Sequence, residues 1–412
     1  MQRVLTALVL FLSLTTHAAD WPNYRGPNHD GISTETGWKT TWPAEGPKRL
    51  WKATVGTGFS SVSVSEGRVC TMGNSNNQDT IWCFDAETGK ELWHHSYPCP
   101  TDPNLFEGGP TATPAMVDTR VLTQSLVYTL SRRGDVFCIE AASGKIAWTT
   151  NVAKALGLKI PTWGFAGSPL FIDTRSTGGP MNLYLNVGTA GVALDGFNGK
   201  IVWSSGAKAS GYTTPVPCSF AGQQAIALCI ASDVVALEIK SGKPLWQYPW
   251  KTDYDINAAD PVIEADNVFV SSGYEHGAAL LQIHDDQPPS LVWQNKNMRN
   301  QISSSVLFEG HLYGMDGNNG HDITLKCVEF KTGKILWNHQ GFGTGTLMMA
   351  DKKLIILGDK GELAVAEASP EAFKLIAHAQ ILGGKCWTVP VLANGRIYCR
   401  NAKGDLVCLD VK

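Results

Sequence analysis

The side chains with the most chemical capacity fall in five short stretches. They are Trp163-Gly164-Phe165, Gly211-Tyr212, Asp253-Tyr254-Asp255-Ile256-Asn257, Arg299-Asn300-Gln301 and Lys385-Cys386-Trp387. Together they offer aromatic faces, carboxylates, amides and cations. That mixture suits a small polar ligand, a sugar or a peptide, because aromatic faces stack while amides and charges orient what is stacked. Trp163, Tyr212, Asp255, Asn257, Arg299, Gln301, Lys385 and Trp387 are therefore the ligand-binding candidates. Asp253 and Asp255 are hard oxygen donors, but calcium takes roughly six to eight oxygens, so no metal site is assigned. No catalytic residue is assigned either. There is no Gly-x-Ser-x-Gly elbow and no His-Glu-x-x-His, and no Gly-Lys pair is followed by Ser or Thr as a phosphate loop requires. The histidines, such as His94, His95 and His276, lack partners at ligand spacing and read as surface or structural residues.

These stretches must be positioned by a repeated unit. Phe84-Asp85-Ala86-Glu87-Thr88-Gly89-Lys90-Glu91-Leu92-Trp93 recurs, with substitutions, in segments ending at Trp148, Trp203, Trp246 and Trp337. Degenerate copies end at Trp293 and near Ile376. The spacing, roughly 40 to 55 residues, is that of a four-stranded propeller blade. Within each copy the acid ends one strand and the Gly takes a left-handed turn conformation. The Lys keeps the outer edge charged, and the Trp lays an apolar face between blades. Trp51, Trp93, Trp148, Trp203, Trp246, Trp293 and Trp337 are accordingly read as structural inter-blade residues rather than as a sugar-stacking ladder. Inner strands begin at Thr113-Pro114, Ser168-Pro169, Thr214-Pro215, Asp260-Pro261 and Val389-Pro390, where a proline costs no ladder hydrogen bond. The last unit runs from about Lys385 to Asp410 without an outer strand, and Lys48-Arg49-Leu50-Trp51-Lys52 is an outer strand without a blade. Joining the two closes the ring and leaves no exposed edge. The fold class expected is all-β: an eight-bladed β-propeller of four-stranded antiparallel blades, closed by an N-terminal outer strand. A short helix is expected between Ala153 and Trp163. The five candidate stretches then become loops around the mouth of the central channel.

Residues 1–19 read as a signal peptide: Arg3 precedes an apolar run from Val4 to Leu14, and Thr16-His17-Ala18 offers a cleavage site. No Cys follows it to carry a lipid, and no later segment is apolar enough to span a bilayer. Residues 20–46 are an extended segment expected to lie across one face, and 47–412 form the propeller. The expected location is periplasmic or secreted. Residues Cys83, Cys138, Cys327 and Cys408 share one slot of the repeat and read as core. The pairs Cys70/Cys83 and Cys399/Cys408 sit on neighbouring strands, which leaves a cross-strand bridge open for each. A formal charge of −3, from 34 Lys and Arg against 37 Asp and Glu, argues against a nucleic-acid partner.

Residues 47–412 resemble the pyrroloquinoline-quinone-like (PQQ-like) repeat propellers, whose hallmark is this Asp-x-x-Thr-Gly-Lys-x-x-Trp pattern. The opening Trp21-Pro22-Asn23-Tyr24-Arg25-Gly26-Pro27-Asn28-His29-Asp30-Gly31 and the closing Gly384-Lys385-Cys386-Trp387-Thr388-Val389-Pro390-Val391-Leu392-Ala393-Asn394-Gly395-Arg396-Ile397-Tyr398 are similar to exported propellers of the BamB type. That resemblance implies a non-catalytic scaffold in the bacterial envelope, monomeric, binding an envelope protein, a peptide or a small polar ligand. The same family's quinoprotein dehydrogenases imply an alternative, an oxidoreductase holding the quinone and calcium. Their vicinal Cys-Cys pair and haem motif have no counterpart here, so no cofactor is predicted. A polysaccharide-binding propeller using Trp163, Tyr212 and Trp387 is the second alternative.

Overall fold

In each repeat the turn is built by its own side chains. Asp85 Oδ1 accepts from the Thr88 N–H at 2.8 Å and from the Thr88 hydroxyl at 2.7 Å. Asp195 makes the same kind of turn with the N–H groups of Phe197 and Asn198. The glycines that follow, Gly89, Gly144, Gly199, Gly242 and Gly333, all have φ near +70°. The computed structural model, which describes residues 19–318 and 321–412, arranges these units as eight sheets. Blades one to seven span 63–98, 115–151, 170–204, 216–249, 262–295, 306–339 and 346–380, each with four antiparallel strands in chain order. The eighth takes its three inner strands from 391–410 and its outer strand from Arg49–Thr54, so the ring closes as expected. A short helix, Val152–Leu156, follows blade two, with Asn151 capping it and Gly157 ending it at φ 60°.

The tryptophans bind each blade to the next. The indole N–H of Trp51 donates to Ala86 O, Trp93 to Ala141 O, Trp148 to Gly196 O, Trp203 to Ile239 O and Trp293 to Phe330 O. Each acceptor directly follows the acid of the next repeat. Each indole also lies flat on that repeat's turn glycine: a Cβ on Gly144 would meet Trp93 Cγ at 2.6 Å, and one on Gly199 would meet the Trp148 ring at 2.5 Å. Blade seven lacks the Gly-Lys turn, yet Trp337 still donates to Ser369 O there; Trp246 keeps the slot without an acceptor, facing the Asp285-Asp286-Gln287-Pro288 of blade five.

A second ring of bonds lines the channel at the entry to the inner strands. Ser61 N–H donates to Thr113 Oγ1, Thr113 N–H to Ser168 Oγ, Ser168 N–H to Thr214 Oγ1, Thr214 N–H to Asp260 Oδ1, and Asp260 N–H to Ser304 Oγ, all at 2.8–3.0 Å. Residues before the inner strands thus satisfy inward N–H groups that have no further strand to pair with.

The N-terminal segment rests on hairpin turns of one face, Asp20 against Glu66 and Asn394 and Glu35 against Gly395, and it also reaches the inner strands that line the channel. Trp21 bridges Val64, Pro22 O accepts from Met116 N–H at 2.8 Å, and Ile32–Ser33 adds a parallel fifth strand to the inner edge of blade seven. Arg25, buried, donates to the carbonyls of His29, Asp30 and Ser305 and folds the segment into a knot of turns. The cause is the inner edge itself, whose free N–H and C=O groups recruit any chain that can reach them. The expected signal peptide, residues 1–19, lies outside the described residues except for Ala19. All ten cysteines are free thiols. Cys70 faces Cys83 directly, whereas Cys399 pairs with Val407 and so does not face Cys408.

The turn glycine has two reasons to be glycine, and they can be separated. Gly144 has φ 73° and a covering indole; Gly67 has φ 72° and nothing within 4 Å of a Cβ. Alanine at Gly67 is expected to cost about 1–2 kcal/mol from backbone conformation alone. Alanine at Gly144 should cost at least about 1 kcal/mol more, because Trp93 must move. Urea unfolding of the two variants measures the difference, and equal costs would remove the tryptophan contact as a determinant.

Candidate functional site

The loops that feed the inner strands surround a cavity of ≈ 480 Å³ at the channel mouth. Phe59, Phe106, Trp163, Tyr212, Tyr274 and Trp387 form its walls, and Tyr24 and Asp260 lie at its base. The walls are held in place rather than loosely gathered. Phe59 packs on Phe106 and on Trp387, each at 5.6 Å between centroids, and Trp163 meets Tyr212 edge-on at 6.0 Å. The Trp163 indole N–H donates to Asn104 O. Two buried arginines fix the loops that carry the phenylalanines. Arg400 donates to the carbonyls of Gly56, Gly58, Ser60 and Met72 and to the Thr71 hydroxyl. Burial with no carboxylate partner pushes it down to about 9. Arg132 donates to the carbonyls of Thr101 and Asp102 and lies 5.9 Å from the Phe106 ring centre.

The floor is supplied by the N-terminal segment. The Tyr24 ring faces the cavity, while its hydroxyl is buried beside Ser304 and Asp260, and burial raises it far above the ordinary tyrosine range. Asp260 occupies the position that Thr113, Ser168 and Thr214 hold in other blades. Its Oδ1 takes over the hydroxyl's task of accepting a neighbour's N–H; its Oδ2 has no hydrogen-bond partner. The residue is 4% exposed, and burial raises the carboxyl to about 6, against the opposing pull of Arg25 and the Thr214 N–H. Among the described residues Asp260 is the one charged residue lining the cavity.

The sequence candidates separate into two groups. Trp163, Tyr212, Gln301 and Trp387 line the cavity, with the Gln301 amide donating to Tyr274 Oη at 3.1 Å. Lys385 sits at the rim, paired with Glu107 at 2.9 Å and 4.2 Å from the Trp387 ring centre. Asp255 is exposed at the rim, at φ 56°. Asn257 is enclosed by the fold: its amide donates to Ile230 O and Trp250 O and accepts from the Ser272 hydroxyl. Arg299 forms a two-pronged pair with Asp316, which Lys326 and Glu275 extend into a network. Tyr24, Phe59, Phe106 and Asp260 are site residues that residue chemistry alone passed over. Asp260 carried a legible signal, an acid where three other repeats have a hydroxyl. Two exposed apolar residues complete the rim: Leu105, 90% exposed, and Tyr254, 75% exposed, both at φ 64°. Positive φ in bulky residues is strained backbone, which is concentrated at functional loops.

The fold and this repeat chemistry define a propeller of the PQQ-like repeat class. The chain belongs to the family described as outer membrane protein assembly factor BamB, whose model matches residues 77–339. It is 22% identical over 380 residues to the outer membrane protein assembly factor BamB of Yersinia pestis, covering 87% of this chain and 77% of that one. The crystal structure of BamB from Moraxella catarrhalis superposes with a TM-score of 0.62 at 12% identity, over 88% of this chain and 99% of that one. The quinohemoprotein alcohol dehydrogenase of Comamonas testosteroni superposes with a TM-score of 0.63 at 12% identity, over 95% of this chain and 80% of that one. At such identities the superpositions speak to the fold alone.

Asp260→Asn keeps an oxygen for the Thr214 N–H and removes a buried charge. A carboxyl at about 6 in the folded protein and about 4 in the unfolded chain burdens folding only once the unfolded chain ionises. Below pH ~4 both states are protonated and there is no penalty. The penalty grows as pH rises to ~6 and is then constant, at up to about 3 kcal/mol for a carboxyl displaced that far. The variant should therefore be more stable than wild type by about 1–3 kcal/mol at pH 7.5, with the gap closing near pH 4. Denaturant unfolding at both pH values checks this; a gap independent of pH would contradict the assignment.

Proposed function

We propose that this chain is a non-catalytic propeller of the bacterial cell envelope that binds a partner protein or peptide at the aromatic channel mouth. The observation that carries the reading is the rim. Leu105 and Tyr254 are held exposed, in strained backbone, above a collar of packed aromatic residues. Exposed apolar anchors beside a preformed pocket are the usual makings of an interface centre. Membership of a family named for outer-membrane protein assembly supports a protein partner and an envelope location. No helix among the described residues is long and apolar enough to cross a membrane.

Calcium-bound pyrroloquinoline quinone fits these residues poorly. The quinone carries several carboxylates, whereas the one charge lining the cavity, among the described residues, is negative. Calcium wants about six to eight oxygens, and no three acidic, His or Cys residues converge among the described residues. Calorimetric titration of the protein with the quinone and Ca²⁺ is expected to give no saturable heat, and a saturable isotherm would restore the oxidoreductase reading.

A photo-reactive residue placed at Leu105 or at Tyr254 should cross-link to envelope proteins in living cells. The same residue at Phe197, equally apolar and 52% exposed but on a turn of the opposite face, serves as the control. Adducts at the first two positions and not at the third support the mouth as the binding face. The same pattern from all three positions would refute it.

A further inference from the structure

The proposed partner sits on the rim; the cavity beneath asks for something smaller. Its volume, ≈ 480 Å³, lies within the range of small-molecule sites, roughly 300–1,000 Å³. Its walls are aromatic, its base holds one carboxylate, and that carboxylate has an oxygen with no partner. Thr111, another lining residue, also holds its hydroxyl buried without a partner. A buried unpaired acceptor is costly. Every other blade that uses this position for the channel ring does so with a neutral hydroxyl, which shows that the ring itself does not require a charge.

We infer that the channel cavity is a binding site for a small organic cation, an ammonium or guanidinium group on an apolar or aromatic stem. The cationic head would sit above the Asp260 carboxylate at the base, whose unpaired Oδ2 is closed off from solvent, and the stem would lie against Trp163, Tyr212 and Trp387. Aromatic faces attract cations through the ring quadrupole, and a desolvated carboxylate completes the match. The groups around Asp260 leave that role open. Arg25, in the N-terminal segment, pulls on Asp260 through space, but its guanidinium hydrogen bonds go to the carbonyls of His29, Asp30 and Ser305. Tyr24 and Cys229, the other titratable groups facing Asp260, are both raised by burial and remain neutral. At the rim the Lys385 charge is matched by Glu107. Since burial raises Asp260 to about 6, it is ionised at neutral pH and ready to accept a cation, and it is mostly protonated at pH 5.

The test is titration of the purified protein with phenethylamine and agmatine, read by tryptophan fluorescence and calorimetry. Neutral 2-phenylethanol is the matched control. Both cations should bind at least tenfold more tightly than the alcohol. That preference should fall about tenfold at pH 5, and it should vanish in Asp260→Asn, which retains the Thr214 contact and the fold. Trp387→Leu should weaken both cations while keeping the preference over the alcohol. A capped Gly-Arg-Gly peptide is the second arm. If it binds as well as agmatine, the natural ligand can be a basic side chain of a partner; if agmatine binds and the peptide does not, the ligand is a free amine. Binding of cation and alcohol with equal affinity, or a cation affinity unchanged in Asp260→Asn, overturns the inference. Neither result bears on cross-linking at the rim, so the partner-binding reading stands or falls separately.

Discussion

The architecture depends on one contact made again and again: an indole laid across the turn glycine of the next blade. The contact joins two requirements in a single residue. The turn needs positive φ, which glycine adopts without strain, and the indole needs a surface with no Cβ in the way. The indole N–H then finds the carbonyl just after the acid that shapes the same turn. Burial, hydrogen bonding and backbone conformation therefore all point to the same register. A blade cannot shift against its neighbour without exposing a large aromatic face and orphaning an N–H together.

From that contact the ring follows, and from the ring the site. Trp51 makes the contact from a strand that belongs in sequence to the start of the chain and in space to the last blade. The ends of the chain are thereby bound to each other, and the segment before Trp51 is brought to the channel. There it meets inner edges whose hydrogen-bonding groups would otherwise face an open tube. It fills one end and leaves the other as a cavity with a floor. The site is thus a by-product of closure: its walls come from loops between blades, and its base from the residues that close the channel.

The base is also where local consistency breaks. Four of the five channel-ring acceptors are hydroxyls, which satisfy an N–H and then bury without charge; the fifth is Asp260, whose second oxygen has no partner. A carboxylate kept at a stability cost, at the bottom of an aromatic cavity, is the pattern expected where function opposes stability. Leu105 and Tyr254, exposed and at positive φ, mark the same opposition at the rim.

Much of this was legible in residue order. The repeat named its turn, its outer strand and its inter-blade tryptophan, because these are local features with a fixed period. The orphan strand at Trp51 disclosed the closure, because a missing piece and a spare piece of the same pattern must match. Trp163, Tyr212, Gln301 and Trp387 could be placed near the mouth for the same reason. Tertiary structure alone decided the rest. That Asn257 and Arg299 are occupied within the fold depends on Trp250, Ser272 and Asp316, none of which their own loops disclose. That Tyr24 forms the floor of the cavity depends on where an irregular segment finds unpaired strand edges, and such a segment has no period from which its path could be read. Periodicity transmits what neighbours along the chain share; it carries nothing about which distant side chain will meet a free carbonyl across the channel.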